Sequence, residues 1–145
     1  TIEDVLAMRS LHIKESGRET RSRKTWELQL EMANMGKAFM IQGYKNTKLV
    51  ASSFFVHNTS TCLYFSSAAE LSMYQNPLNH AIIWEAIKHA KNTSCRYFDF
   101  STLTYNTGSS KPSKKEMNIN TFKRGFGGDT KIQSYIEWNS ALKGE

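Results

Sequence analysis

The sequence lacks any stretch approaching the roughly 18 consecutive apolar residues that a spanning helix requires. Its start carries no signal-peptide pattern either. No integral membrane segment is therefore expected. Cysteine is scarce: Cys62 and Cys95 are too few and too isolated for a disulfide framework or a metal site. Both lie in apolar, strand-like runs, which points to buried, reduced thiols and a cytoplasmic setting. Asn58-Thr59-Ser60 and Asn92-Thr93-Ser94 match the glycosylation acceptor pattern, but nothing else suggests secretion. Internal repeats and dividing linkers are missing, so residues 1–145 read as one domain. A start at Thr1 rather than at methionine leads us to expect a piece of a longer chain.

What is present describes an ordinary globular protein: 145 residues, 39% apolar and 22% charged, enough to bury one sizeable core. The formal charge of +6 is concentrated in two windows. Lys14 to Lys24 holds five basic residues against two acidic, and Lys111 to Lys131 holds six against two, leaving the remainder slightly negative. Such local charge suits either an anionic partner or solvated loops.

Thr1-Ile2-Glu3-Asp4 has the form of a capping box opening a helix whose stripe (Ile2, Val5, Leu6, Ile13) ends near Gly17. An Arg/Lys/Ser-rich loop follows. The pattern then predicts a helix capped by Thr25 and stopped at Gly36. Ala38 to Tyr44, Leu49 to His57 and Cys62 to Ala68 are rich in Phe, Val, Ile and Tyr. Turns at Asn46-Thr47 and Asn58-Thr59-Ser60 join them, so they predict an antiparallel meander. Asn76-Pro77 reads as an N-cap followed by a proline in the first turn, opening a helix to about Lys91 with Leu78, Ile82, Ile83, Ala86, Ile87 and Ala90 facing a core. Cys95 to Ser101 reads as a strand, Thr102 to Asn118 as a long loop, Asn120 to Arg124 as a short helix and Lys131 to Trp138 as a last strand. The order α-α-β-β-β-α-β-α-β predicts an α/β (α+β) fold with a mixed, mostly antiparallel central sheet, helices on both faces and a right-handed crossover.

Several residues are candidates for chemistry. Asp99 ends what reads as the central strand, where it either handles the proton of a nucleophilic amine or is a structural carboxylate held by nearby N–H groups. Tyr64 and Tyr105 offer hydroxyls to a substrate or pack in the core. Asn76 and His80 lie at the start of a helix, and His80 either meets substrate or serves as a cap. His80 and His89 stand nine apart, near opposite helix faces, and make a poor metal pair; no metal is expected. In Phe122-Lys123-Arg124-Gly125-Phe126-Gly127-Gly128, the glycines let the backbone turn tightly and approach a ligand. Read without further context, Lys123 is a cation on a solvated turn and Phe122 and Phe126 are core anchors.

The element order resembles the GNAT acyltransferase fold from its first helix onward, with the usual opening strand missing. Asn76-Pro77-Leu78-Asn79-His80-Ala81-Ile82-Ile83-Trp84-Glu85-Ala86-Ile87-Lys88-His89-Ala90, then Tyr97-Phe98-Asp99-Phe100, then Phe122 to Gly128 are similar to the C-terminal half of FemAB-like proteins, over roughly Arg18 to Trp138. That group includes ligases that add amino acids to peptidoglycan precursors and acyltransferases of polysaccharide gene clusters. The resemblance implies acyl or aminoacyl transfer to an amine of a cell-envelope or polysaccharide precursor. It implies Phe122 and Lys123 at the transfer centre, with Lys123 stabilising an oxyanion, a role worth a few kcal/mol where negative charge develops. Arg124, Gly125, Gly127 and Lys115 are expected to bind substrate, with the Lys111 to Lys115 cluster attracting phosphate. The expected donor is aminoacyl-tRNA or acyl-CoA. The expected partners are an anionic small-molecule or lipid-linked precursor, tRNA and an upstream GNAT-like half.

One departure bears on the donor. CoA-using members place a glycine-rich phosphate loop between the corresponding strand and helix. Here that junction, Ser67 to Pro77, has no glycine, and Glu70 adds the wrong charge. FemAB-like ligases lack the loop too. A rival reading as an RNA-binding or anionic-ligand module rests on Arg124-Gly125-Phe126-Gly127, which resembles the start of an aromatic RNA-recognition consensus. Gly128-Asp129 stands where that consensus needs an aromatic and a valine. Calorimetric titration with acetyl-CoA separates CoA-dependent N-acetyl transfer from these readings.

Overall fold

The computed structural model describes residues 1–106, 111–132 and 134, in two compact units, Thr1–Thr102 and Leu103–Glu145. In the first unit, helix α1 (Ile2–Ser16) opens on the expected capping box and closes at Gly17, whose φ of 72° is the left-handed stop. Helix α2 (Arg23–Asn34) begins three residues earlier than a cap at Thr25 predicts. The cap is Ser22, whose extended backbone presents its carbonyl to the Thr25 N–H at 3.0 Å. It ends as expected at Gly36: φ is 67°, and the Gly36 and Lys37 N–H groups donate to the Ala33 and Met32 carbonyls at 3.0 Å each.

Strands β1 (Ala38–Lys45), β2 (Lys48–His57) and β3 (Thr61–Ala69) form the expected antiparallel meander. Asn46 turns the first hairpin at φ 55°. The Asn58 carboxamide oxygen turns the second by accepting the Ser60 and Thr61 N–H groups at 2.8 Å each. Strand β4 (Tyr97–Asp99) joins in parallel, giving the order β1-β2-β3-β4. It is shorter than expected and, among the described residues, stands at the edge of the sheet rather than at its centre. The Cys95 N–H closes the preceding helix on Ala90, and Ser101, at φ 63°, turns the chain away.

Strand alternation sends neighbouring residues to opposite faces. Phe54 packs with Val5, Met8, Trp26 and Ala38 beneath α1 and α2. Phe55 packs with Ala51, Cys62, Ile82, Ala86 and Ala90 beneath helix α3 (Leu78–Asn92). Each fully buried phenylalanine contributes on the order of 1.5–3 kcal/mol. Helices thus cover both faces, as the pattern predicted. Gly43 lets α3 approach, since a Cβ there would lie 3.3 Å from Ile82 Cδ1. Of the expected core positions on α3, Ile82, Ile83, Ala86 and Ala90 are buried and Leu78 and Ile87 half-buried. Burial also pushes the Cys62 thiol up to about 12.

The N-cap of α3 is Pro77, not Asn76. Asn76 is committed to the preceding 3₁₀ turn (Leu71–Met73): its backbone and side-chain N–H groups both donate to the Met73 carbonyl, at 2.8 and 3.3 Å.

In the second unit, helix α4 (Lys114–Arg124) begins six residues before the expected Asn120, inside the segment read as a long loop. Ser113 and Glu116 form a capping box, with Glu116 accepting the Ser113 N–H at 2.7 Å. Lys131, Ile132 and Ser134 are not in a strand. The rest of the expected strand to Trp138 lies outside the described residues. No helix among the described residues is long and apolar enough to cross a membrane.

Candidate functional site

The feature of the first unit that invites a ligand is the divergence of β3 and β4. Only Thr61, Cys62 and Leu63 of β3 pair with β4, at Tyr97, Phe98 and Asp99. From Tyr64 to Ala69, β3 is paired on its β2 side alone among the described residues. Part of the cause lies in β3 itself. The register slips between Phe54 and Phe55, so Phe65 is an extra residue, a bulge that bends the strand. The result is a stretch of β3 main chain with no strand partner on that side among the described residues, along which Ser66, Ala68 and Ala69 are nonetheless buried and Phe65 is the exposed position.

Tyr64 stands where the two strands part, its ring 6.5 Å from Phe100 and 5.8 Å from Phe55. Its hydroxyl donates to Ser67 Oγ at 2.6 Å. Burial raises the phenol above its ordinary value, outweighing the opposing hydrogen bond with Ser67, so Tyr64 stays protonated at neutral pH. Asp99 is exposed at the end of β4, and its Oδ1 accepts the Ser101 N–H at 2.6 Å. That contact supplies the backbone bond of the structural reading and also fixes the carboxylate in place.

The β3–α3 junction differs from what its composition suggested. Glu70 is buried, with 4% of its surface exposed, and accepts from Lys14 Nζ through both oxygens and from Lys48 Nζ through Oε2, each at 2.9 Å. These hydrogen bonds hold its carboxyl at about 2, well below the ordinary range. Beside it, the Tyr74 hydroxyl donates to the Glu15 carboxylate. The end of α1 therefore ties down the whole junction. His80 lies exposed in the first turn of α3.

In the second unit, Arg124 and Tyr105 come together as a pair: Arg124 Nη2 donates to the Tyr105 hydroxyl at 2.9 Å, and its guanidinium lies 5.5 Å from the ring centroid. Phe122 and Lys123 are half-buried in the last turn of α4, and Phe122 meets Phe126 edge to face at 5.3 Å. Lys123 and Arg124 both complement the negative end of the helix dipole. Gly125 is the C-cap at φ −60°, while Gly127 and Gly128 take φ of 78° and 91°. Lys115 is exposed in the first turn, where the Glu116 carboxylate of the capping box already supplies the anion. The sequence reading overlooked Asn120. It is buried, and its carboxamide accepts the Thr104 N–H at 3.1 Å and donates to the Thr104 carbonyl at 2.6 Å, clamping the segment that carries Tyr105. A polar residue on an otherwise exposed amphipathic helix gives no periodic signal. The Ser113-Lys114-Lys115-Glu116 box, by contrast, was readable.

The junction does not present a glycine-rich phosphate cradle.

No protein-family model matches the sequence, and no curated protein matches it. Solved structures do. An aminoglycoside acetyltransferase from an uncultured soil metagenomic sample, in complex with sisomicin, has a TM-score of 0.72 at 9% identity, covering 98% of this chain and 90% of that one. The aminoglycoside enzyme AAC(6')-Iy, in complex with a bisubstrate CoA analog, has 0.72 at 8%, covering 94% and 92%. The ribosomal-protein-alanine N-acetyltransferase of Brucella melitensis biovar Abortus 2308 has 0.70 at 11%, covering 95% of each chain. Likeness at such identities is a likeness of fold, and by that measure this chain has the fold of the GNAT acetyltransferases.

Proposed function

We propose that this chain transfers an acyl group from an acyl-CoA thioester to an amine. The observation that supports this best is the divergence of β3 from β4 after Leu63, in a fold shared with acetyltransferases. The donor, when bound, supplies an activated acyl group. Asp99, oriented by the Ser101 N–H, takes the proton the amine must lose to become nucleophilic. Tyr64, a neutral phenol, turns its hydroxyl proton from Ser67 Oγ to the place where negative charge gathers. Lys123 is proposed, on the resemblance alone, as the cation that stabilises the carbonyl oxygen, and Arg124, Gly125 and Gly127 as substrate contacts.

A second reading is aminoacyl transfer of the FemAB-like kind, with aminoacyl-tRNA as donor and an envelope or polysaccharide precursor as acceptor. The glycine-free junction with its buried Glu70 favours it. Calorimetric titration with acetyl-CoA decides between them. Micromolar binding supports the first reading; absence of binding, with turnover of aminoacyl-tRNA, replaces it with the second.

A further inference from the structure

A cation cluster sits at the tip of the β1–β2 hairpin and the end of β3, and neither reading above uses it. Lys45 and Lys48 are directly opposed in the β1–β2 register. Opposed residues share a sheet face, where like charges repel. Lys48 and Lys14 both reach Glu70 Oε2 at 2.9 Å, so the two ammonium groups converge on one oxygen. Their side chains remain 59% and 64% exposed, Lys14 and Lys48 respectively, while the carboxylate beneath them is buried. No carboxylate among the described residues pairs with Lys45. Lys14 and Lys48 thus share a single carboxylate and Lys45 stands opposite Lys48 in the register, an excess of positive charge that the Glu15 carboxylate beside the junction offsets only in part.

Each ammonium has three N–H donors, and Glu70 takes one or two of them. The rest suit an anionic ligand that accepts several hydrogen bonds. A phosphate group, with three acceptor oxygens, meets that need better than a carboxylate, which supplies two. We propose that Lys14 and Lys48, held on the buried Glu70 carboxylate, together with Lys45 opposite Lys48 on the hairpin, form a binding site for a phosphate-bearing ligand. The hairpin carries two of the lysines and the last turn of α1 the third, so the site is built on rigid elements rather than on a glycine-rich loop.

The test is calorimetric titration of the whole chain with inorganic pyrophosphate. The expected result is saturable binding that weakens with added salt and falls at least about tenfold in Lys45→Met. Lys45→Met leaves both Glu70 ion pairs in place, so loss of fold does not confuse the outcome, and Lys14→Met should show a similar fall. Lys88→Met, an exposed lysine on α3 paired with Glu85, serves as control and should bind as the parent does. Two further arms identify the source of the phosphate. A Lys45→Met defect toward acetyl-CoA, absent toward S-acetylpantetheine, places it on the donor. A defect toward phosphoethanolamine, absent toward ethanolamine, places it on the acceptor. Pyrophosphate affinity unchanged in Lys45→Met, or no saturable binding at all, overturns the proposal. The pyrophosphate titration needs no turnover, so failure of the acyl-transfer reading leaves this result independent.

Discussion

The β3–α3 junction of the first unit, read as lacking a phosphate loop, and the end of α4 in the second, read as a substrate-binding turn, are built in opposite ways. The junction has no glycine, and its conformation is fixed by side chains from elsewhere: Lys14 and Lys48 on Glu70, and Glu15 on Tyr74. The α4 end has three glycines, and its conformation is fixed locally by a C-cap at Gly125 and left-handed backbone at Gly127 and Gly128. Glycine content therefore reports where the backbone turns sharply, not where a ligand binds. A glycine-free segment can be equally determined when long-range ion pairs hold it.

The strongest test of the contrast is Lys123→Met. If the α4 end is a catalytic turn, turnover falls by a factor of about a hundred or more while the circular dichroism spectrum stays the same. Unchanged turnover in a folded variant would reduce that end to a helix stop. Next comes Glu70→Gln, which leaves two lysines converging without a counter-charge and should lower the thermal unfolding midpoint by several degrees. The pH dependence gives its sign. Because the folded carboxyl is held at about 2 against an ordinary 4.5, its stabilisation is fully present above pH 4.5 and is lost as the pH falls toward 2. The variant should show a flatter acid-unfolding curve across that interval, and an identical curve would mean the lysines do not hold the junction. Asn120→Ala removes both hydrogen bonds to Thr104 and should cost about 1–3 kcal/mol in denaturant unfolding. The smallest effect is expected from Gly127→Ala, where the φ of 78° penalises a Cβ by about 1–2 kcal/mol although the space around it is open. A neutral result there would argue that this turn relaxes freely.

Much of the fold was legible because it rests on local patterns. The Thr1 capping box, the Gly36 stop, the Asn46 and Asn58 turns and the two-residue alternation of the meander need only neighbouring residues to act. The misplacements have equally physical causes. Apolar character along Cys95 to Ser101 suggested a seven-residue strand, but a parallel strand ends where its partner diverges, and Ser101 turns away. Asn76 looked like a cap because of the proline that follows, but the 3₁₀ turn before it claimed its donors. The start of α4 was missed because polar residues carry no apolar period, even though its capping box was in view.

The candidate site was less legible. Sequence alone singled out Tyr64, Asp99, Tyr105 and Arg124 as polar groups of interest, but not how they would be used. Only the tertiary structure paired Arg124 with Tyr105, set Tyr64 where β3 and β4 diverge and buried Glu70 beneath two lysines. The sequence by itself determined the order of the elements, the two apolar faces of the sheet and the places where the backbone must turn, since these follow from periodicity and from the conformational limits of single residues. The divergence of β3 from β4 and the partners of Glu70 were decided by contacts between residues as far apart as Lys14 and Glu70. Neither a short-range pattern nor a composition can encode such pairings, because their energy exists only once the chain has brought the groups together.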